Sequence, residues 1–193
     1  HTIVVDTEPK ASKSAAFAHP GLQVNPANLI CEKTGRGGNF AFGYHGNRGG
    51  EQPLDSTRGT ILSRTLAAVR AEAERMWMVS NLVVVLSTGG GTGSGLGSRI
   101  IRELRPLYPT QFICAVAILP FASGENPVQH YNTILCTDVL QHDADLVLTF
   151  GNDEMLALIS SSSSTGARAG GSDGSGSTLV GGLGGRLVVT AGT

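Results

Sequence analysis

Two hydrophobic patterns alternate along this chain. Short runs of apolar, largely β-branched residues predict buried strands, and longer stretches with apolar residues at every third or fourth position predict the helices that cover them. The runs predict strands at residues 2–5, 28–32, 82–87, 111–119 and 145–150. Helices are predicted at about 55–76, from the end of the central turn to Pro106 and Pro109, from 128 and from 153. This order predicts a doubly wound, mostly parallel α/β sheet flanked by helices.

The longest predicted helix carries one continuous apolar face. The residues of this face are Ile61, Leu62, Leu66, Val69, Ala73 and Met76. Their spacing indicates packing against the sheet rather than a cofactor site. Glu72 is placed off this face, and Trp77 is interpreted as a further packing residue.

A glycine-dense turn lies between the strand at 82–87 and the next helix. Its backbone N–H groups and the positive end of the helix dipole meet at the carboxyl end of the strand, an arrangement that binds phosphate. Glycine lets the backbone approach a phosphate without an intervening Cβ, and Thr92 and Ser94 offer hydroxyl donors. The predicted phosphate-binding residues are Ser87, Gly89, Gly90, Gly91, Thr92, Gly93 and Ser94.

The turn has three other interpretations. The P-loop is excluded because it needs a lysine directly after its last glycine, and the chain has no lysine after Lys33. The dinucleotide fingerprint is disfavoured because no register places glycines at its first and third positions and glycine or alanine at its sixth. A flexible turn without a ligand stays open.

Two further loops with candidate chemistry follow predicted strands. Asp6 and Glu8 come after the first strand, at the sheet edge where ligands of open α/β sheets bind, and suit Mg²⁺ held through waters beside phosphates. The alternative there is a solvated turn capped by the aspartate. The second loop is a glycine-rich turn whose backbone amides can form an anion-binding nest. Its candidate residues are Gly35, Gly37, Gly38 and Asn39.

Composition excludes several classes of partner. The chain has 193 residues and a formal net charge of −1 at pH 7, so it suits one domain and gives no indication of a nucleic-acid partner. No apolar run approaches the length of a membrane span, and we expect no membrane partner. The three cysteines have no close pair and are interpreted as buried thiols of a reducing compartment. The start at His1 suggests a piece of a longer protein.

The chain is divided into three parts. Residues 1–158 form the predicted domain. Residues 159–178 are rich in serine and glycine and are interpreted as a flexible insert or linker. Residues 179–193 are left unassigned, although the apolar run at 187–189 is compatible with a strand.

Several motifs, in order along the chain, resemble those of the tubulin family. The turn from Gly89 to Gly95 reads GGGTGSG, the long glycine signature of that family, and the loop from Val5 to Pro9 matches its V-D-x-E-P pattern. The segment 128–135 reads Val-Gln-x-Tyr-Asn-x-Ile-Leu and is similar to the delta form. The resemblance covers residues 1–158 and implies a Rossmann-like GTP-binding domain that lacks its first strand.

The resemblance implies roles around the phosphates. Magnesium is expected near Asp6 and Glu8, and the second glycine loop is expected near the terminal phosphate. There Gly38 stands where the family has an asparagine, which removes one hydrogen-bond donor. Arg36 is either an electrostatic substitute for that donor or a solvated arginine.

The resemblance also implies contacts to the nucleoside. Glu125 and Gln129 are expected at the ribose, where the glutamine differs from the family's glutamate but still offers an acceptor. Asn152 is expected at the guanine edge, where one amide can both donate and accept. A helix N-cap is the alternative for Asn152.

The implied function is that of a GTP-binding cytoskeletal protein in microtubule-based processes and in the assembly of centrioles, basal bodies or flagella. Implied ligands are GTP or GDP with Mg²⁺, implied partners are other tubulins or microtubule and centriole components, and the implied location is the cytoplasm and its cytoskeleton, including the axoneme. No catalytic residue is assigned, because the family's water-activating glutamate belongs to a second domain. The alternatives are a degenerate paralogue that acts as a scaffold without GTP turnover and an enzyme that uses a dinucleotide.

Overall fold

Six strands form a single sheet in the part of the chain that the structure describes. The computed structural model describes residues 1–8, 24–46, 59–124, 126–165 and 187–192. The strand order is β2-β1-β6-β3-β4-β5. The strands are β1 (Thr2–Asp6), β2 (Leu29–Cys31), β3 (Asn81–Ser87), β4 (Phe112–Leu119), β5 (Leu146–Gly151) and β6 (Leu187–Gly192). All five predicted strands are present, but β5 lies at the edge of the sheet and is mostly exposed, so its burial is not confirmed.

Helices connect the parallel strands. They are α1 (Phe40–His45), α2 (Ile61–Glu74), α3 (Gly97–Leu107), α4 (Gln129–Asp143) and α5 (Asn152–Thr165). A π-helical segment, Thr92–Leu96, leads directly into α3, and a 3₁₀ turn, Pro26–Asn28, precedes β2.

The direction of the strands places the loops that follow them along one edge of the sheet. β1 pairs with β2 in parallel, and β3, β4 and β5 pair in parallel with one another. β6 is antiparallel to both β1 and β3, so these two strands run in the same direction. The carboxyl ends of β1 to β5 therefore share one edge, as a mostly parallel sheet requires. The fold class predicted from the sequence is confirmed.

The core lies where β3 meets α3. Leu82, Val84 and Leu86 are fully buried on one face of β3, and they alternate with half-buried residues as the two-residue period of a strand requires. Ile100 and Leu104 of α3 are also fully buried. Burial of each such side chain stabilises the fold by about 1.5–3 kcal/mol. This packing fixes the position of the turn between β3 and α3.

The helix predicted at about 55–76 differs from the prediction at its start and on its face. α2 begins at Ile61 because Thr60 caps it, with its hydroxyl accepting from the Ser63 N–H at 3.1 Å. Glu72, placed off the apolar face in the sequence analysis, is only 4% exposed and accepts from Arg75 at 2.7 Å and from His1. Trp77 is fully exposed, so its interpretation as a packing residue is wrong.

The described carboxyl-terminal residues contain more helix and strand than their composition predicts. α5 extends to Thr165, so residues 159–165 of the segment predicted as a flexible linker are helical, and residues 166–178 of that segment lie outside the described residues. The run at 187–189 belongs to β6, which pairs on both sides in the middle of the sheet. Pro106 lies inside α3 instead of ending it.

The three cysteines form no disulfide and lie in different environments. Cys136 is buried, and burial raises the pKa of its thiol to about 11. Cys31 and Cys114 are half-buried, so the prediction of buried thiols is confirmed only for Cys136. Within the described ranges, no helix has both the length and the apolar character needed to span a membrane.

Replacing Asp145 by asparagine is expected to make stability less dependent on pH. Its carboxylate accepts from the Ile113 N–H at 2.7 Å and from Arg105 at 2.6 Å. These donors hold the pKa of Asp145 below the usual 3.8, so its stabilising effect is present at neutral pH and is lost as the pH falls through the folded-state pKa. D145N should lower the free energy of unfolding by about 1 kcal/mol at pH 7, as measured by urea denaturation.

The same measurement at acid pH provides the check. The difference between D145N and the unchanged chain should shrink as the pH falls below 3.8. D138N, which makes the same change at an exposed aspartate, is the control. A D145N deficit that is equal at pH 7 and at pH 3 would contradict the assignment.

Candidate functional site

The turn after β3 begins a helix at the carboxyl edge of the sheet. Its start is anchored by Thr88, whose N–H donates to the Ile118 carbonyl at 3.0 Å. Gly91 already has helical backbone angles, and Ser94 N–H donates to the Gly90 carbonyl at 3.1 Å. The amides of Gly91, Thr92 and Gly93 precede that bond and belong to a first helical turn, which has no carbonyl of its own helix to donate to. These amides and the helix dipole form an anion-binding arrangement.

Three glycines of this turn are required by contacts within the protein. A Cβ at Gly93 would lie 2.1 Å from the Ser87 carbonyl oxygen, and one at Gly95 would lie 2.2 Å from the Phe40 carbonyl oxygen. A Cβ at Gly91 would lie 2.7 Å from the Asn39 nitrogen and oxygen. The sequence predicts that glycine is needed here for the approach of a phosphate. The structure shows another cause, the close packing of backbone against backbone.

The two predicted hydroxyl donors are engaged within the protein. Ser94 Oγ donates to the Gly90 carbonyl at 2.5 Å, so its proton is used inside the turn. Thr92 Oγ1 shares a hydrogen bond of 2.6 Å with Thr7 Oγ1, and both threonines are buried. The hydroxyls therefore hold the turn in shape and join it to the loop after β1. Ser87, the last residue of β3, is half-buried beneath the turn.

The predicted magnesium residues lie on the loop that Thr7 joins to the glycine turn. Asp6 ends β1, is 3% exposed, and accepts from the Glu8 N–H at 3.0 Å through one carboxylate oxygen. Glu8 is exposed, and its Oε1 is 3.1 Å from where a Cβ of Gly35 would lie. The described residues contain no cluster of three or more His, Cys, Asp or Glu side chains suited to a metal. Carboxylate oxygens are the hard ligands that Mg²⁺ takes, so the chemistry of Asp6 and Glu8 fits this ion, and their role as its ligands stays a prediction.

The second glycine loop turns twice in the left-handed region and then starts α1. Gly37 and Gly38 have φ values of 55° and 62°. Asn39 caps α1, because its Oδ1 accepts from the Ala41 N–H at 2.8 Å. Asn39 N–H in turn donates to the Arg36 carbonyl at 3.1 Å. The loop is therefore a defined turn, and the side chain of Asn39 is used for helix capping.

Arg36 is not a solvated residue. Its side chain is 3% exposed and forms an ion pair of 2.7 Å with Glu32. The solvated alternative from the sequence analysis is wrong. A buried guanidinium held by a carboxylate is a positioned charge, and its role towards a phosphate stays a prediction.

Asn132 connects the two glycine loops and was missed as a site residue. Its Oδ1 accepts from the Phe40 N–H at 2.9 Å, and its Nδ2 donates to the carbonyls of Gly38 at 2.7 Å and Gly89 at 2.8 Å. The side chain is 3% exposed. The side-chain amide of Asn132, on α4, thus holds the second glycine loop against the glycine turn after β3. The available signal was the Val-Gln-x-Tyr-Asn segment, which the sequence analysis used only to support the resemblance.

The two described residues that are predicted to contact the nucleoside, Gln129 and Asn152, lie on different helices. Gln129 is buried, and its Nε2 donates to the Phe121 carbonyl at 2.7 Å, which ties α4 to the loop after β4. Asn152 is half-buried and is the first residue of α5, at the carboxyl end of β5. Glu125 lies outside the described residues. The contacts of these residues to ribose and guanine stay predictions.

Known proteins match most of this chain. Residues 1–160 match the Tubulin/FtsZ family, GTPase domain. The tubulin delta chains of Macaca fascicularis and Homo sapiens are each 31% identical over 156 residues, which is 78% of this chain and 32% of the relative. The tubulin beta chain of the Guillardia theta nucleomorph is 28% identical over 154 residues, which is 79% of this chain and 33% of the relative.

These matches identify the family of the chain and the residues over which the chain matches it. The chain spans about a third of the length of the curated relatives it matches. The matched residues include every strand from β1 to β5 and all three loops described above, and they leave β6 outside. The chain belongs to the Tubulin/FtsZ family and carries the sequence of its GTPase domain over residues 1–160.

Proposed function

We propose that this chain binds a guanine nucleotide, with the phosphates at the amides of Gly91, Thr92 and Gly93. One observation carries the proposal: loops from three strands meet at the amino end of one helix and are bonded to one another there. Thr7 bonds to Thr92, and Asn132 bonds to both glycine loops. A site built in this way presents backbone donors in fixed positions, so little ordering is needed when a phosphate binds.

Magnesium completes the proposed site. Bound Mg²⁺ would supply positive charge that offsets the negative charge of the phosphates. Asp6 and Glu8 would hold it through its waters, because their loop is joined to the phosphate turn by the bond between Thr7 and Thr92. Glu125 and Gln129 are proposed at the ribose, and Asn152 at the guanine edge.

The proposed biological role follows the relatives. The delta-chain similarity supports a cytoskeletal protein of microtubule-based processes, with other tubulins or centriole and microtubule components as partners. Location in the cytoplasm at centrioles, basal bodies or axonemes belongs to the same proposal. GTP turnover is not assigned to residues of this chain, because the resemblance implies a water-activating glutamate in a second domain.

A second candidate is a scaffold that does not turn over GTP. It is favoured by Gly38, which lacks the amide that the resemblance implies near the terminal phosphate. Both candidates share the same fold and family, so they differ only in what happens at the phosphate turn.

Titration of the chain with a fluorescent GTP derivative separates the candidates. We expect saturable binding that is stronger with Mg²⁺ than with EDTA and that unlabelled GTP displaces better than ATP or NAD. Absence of displacement at millimolar GTP would contradict nucleotide binding and support the scaffold. Preferential displacement by NAD would instead support a dinucleotide site.

A further inference from the structure

A strand from outside the family match joins two parts of the sheet. β1 and β2 form one parallel ladder, and β3, β4 and β5 form another. β1 and β3 are not neighbours in the strand order, because β6 lies between them and pairs with both. β6 spans Leu187–Gly192, whereas the family match ends at residue 160. The described strands of the match therefore leave a gap one strand wide, the β1–β3 slot.

Both walls of the β1–β3 slot lie in the interior of the sheet. β6 is in register with residues 2–5 of β1 and with residues 81–86 of β3. Val5 and Leu86, which both pair with Leu187, are fully buried. A strand edge without a partner presents a row of N–H and C=O groups that pair readily with another strand. An empty slot would expose two such edges in the middle of the core.

The β1–β3 slot also selects the side chain on its core face. Val189 is 1% exposed and pairs with Ile3 on one side and with Val84 on the other. These three residues belong to the same hydrophobic core. β6 contains neither charged residues nor proline, which are the residue types that oppose strand pairing. The slot therefore suits an uncharged strand with an apolar residue at the position of Val189.

The direction of β6 makes its binding independent of a packed connection. The other strand pairs of the described chain are parallel, whereas β6 is antiparallel to both of its neighbours. A parallel strand needs a crossover connection, usually a helix packed on the sheet, but an antiparallel strand does not. The contacts that recognise β6 are therefore its two backbone ladders and the buried side chain of Val189.

We propose that the β1–β3 slot is a strand-recognition site, which β6 occupies in this chain and which an unconnected segment with the sequence of β6 also binds. The partner that it fits is an extended, uncharged, β-branched segment that runs antiparallel to β1 and β3. Backbone ladders supply the affinity and the pocket for Val189 supplies the specificity, as in other cases of strand addition. The proposal concerns the interior of the sheet and does not depend on nucleotide binding.

A labelled peptide with the sequence of residues 184–193 tests the proposal on the full chain. Val189→Asp places a charge in the core between Ile3 and Val84 and should displace β6 from the slot. The peptide should bind this variant at least about tenfold more tightly than it binds the unchanged chain, whose slot is filled. It should also raise the urea midpoint of the variant, because a ligand that binds only the folded state stabilises that state. If the variant is unfolded alone, the peptide should restore its circular dichroism.

Val147→Asp is the matched control for this substitution. Val147 also packs against the core from a strand, but it lies on β5, away from the slot. The peptide should not recover the stability that Val147→Asp loses. A second peptide, with aspartate at the position of Val189, should bind neither variant.

Hydrogen exchange of the unchanged chain provides a test without substitutions. Because β6 is paired on both sides, its amides should exchange as slowly as those of β3. Amides of β6 that exchange as fast as those of an unpaired segment would overturn the proposal. A peptide that does not bind the Val189→Asp variant, or that stabilises the Val189→Asp and Val147→Asp variants equally, would also overturn it.

Discussion

Replacing Asn132 by alanine is expected to abolish measurable nucleotide binding and to lower the free energy of unfolding by about 3 kcal/mol or more. The substitution leaves the Gly89 carbonyl and the Phe40 N–H without their side-chain partner, while the Gly38 carbonyl keeps its bond from Asn126. An unsatisfied buried polar group costs about 1–3 kcal/mol, and the same bonds hold the two glycine loops together. Urea denaturation measures the first effect, and titration with fluorescent GTP measures the second.

Asn28 provides the matched control for this substitution. It is also buried, but it makes one bond, from its Nδ2 to the Thr2 carbonyl at 3.2 Å, at the amino ends of β1 and β2. Asn28→Ala should cost about 1 kcal/mol and leave nucleotide affinity unchanged. If Asn132→Ala behaves like Asn28→Ala in both measurements, the proposed connection between the loops is wrong.

The second large effect is expected for Gly93→Ala. A Cβ at this position would lie 2.1 Å from the oxygen and 2.8 Å from the nitrogen of Ser87. Both are backbone atoms of β3, which is paired with β4 and β6, so neither can move away without disturbing the sheet. We expect a loss of about 3 kcal/mol in the free energy of unfolding, measured by urea denaturation.

Gly151→Ala is the control for Gly93→Ala. Gly151 also lies where a strand meets a helix, but its Cβ would face the carboxylate of Glu154 at 3.1 Å, which is the mobile end of a side chain. Its effect should stay within about 0.5 kcal/mol. Equal stability of the two variants would show that the glycine turn can relax around a Cβ and that the packing argument fails.

Local patterns predicted the parallel part of the sheet, because each of its strands is a separate apolar run. They did not predict the position of β6, since nothing in a short run such as Leu187–Gly192 specifies which strands it will join. The serines after Leu158 were interpreted from composition as a linker. Serine has only a moderate helix propensity, but α5 continues through several of them to Thr165.

At the site, the sequence predicted which loops meet but not what holds them. The order of strand, turn and helix correctly predicted that the glycine turn lies between β3 and the next helix at the carboxyl edge of the sheet. It did not reveal that the missing Cβ atoms of Gly91 and Gly93 face backbone, because that depends on tertiary contacts. Asn132 was missed because Phe40 and Gly38, to which it bonds, lie 92 and 94 residues away along the chain.

The most direct test is to observe the backbone amides themselves. NMR spectra of the ¹⁵N-labelled chain, titrated with GTP and Mg²⁺ and in parallel with ATP and NAD, report which amides meet the ligand. We expect the largest shift changes at Gly91, Thr92 and Gly93, and at lower concentrations of GTP than of ATP or NAD. If GTP binds while these three amides stay unchanged, or if NAD shifts them at lower concentration, the account of this site is contradicted.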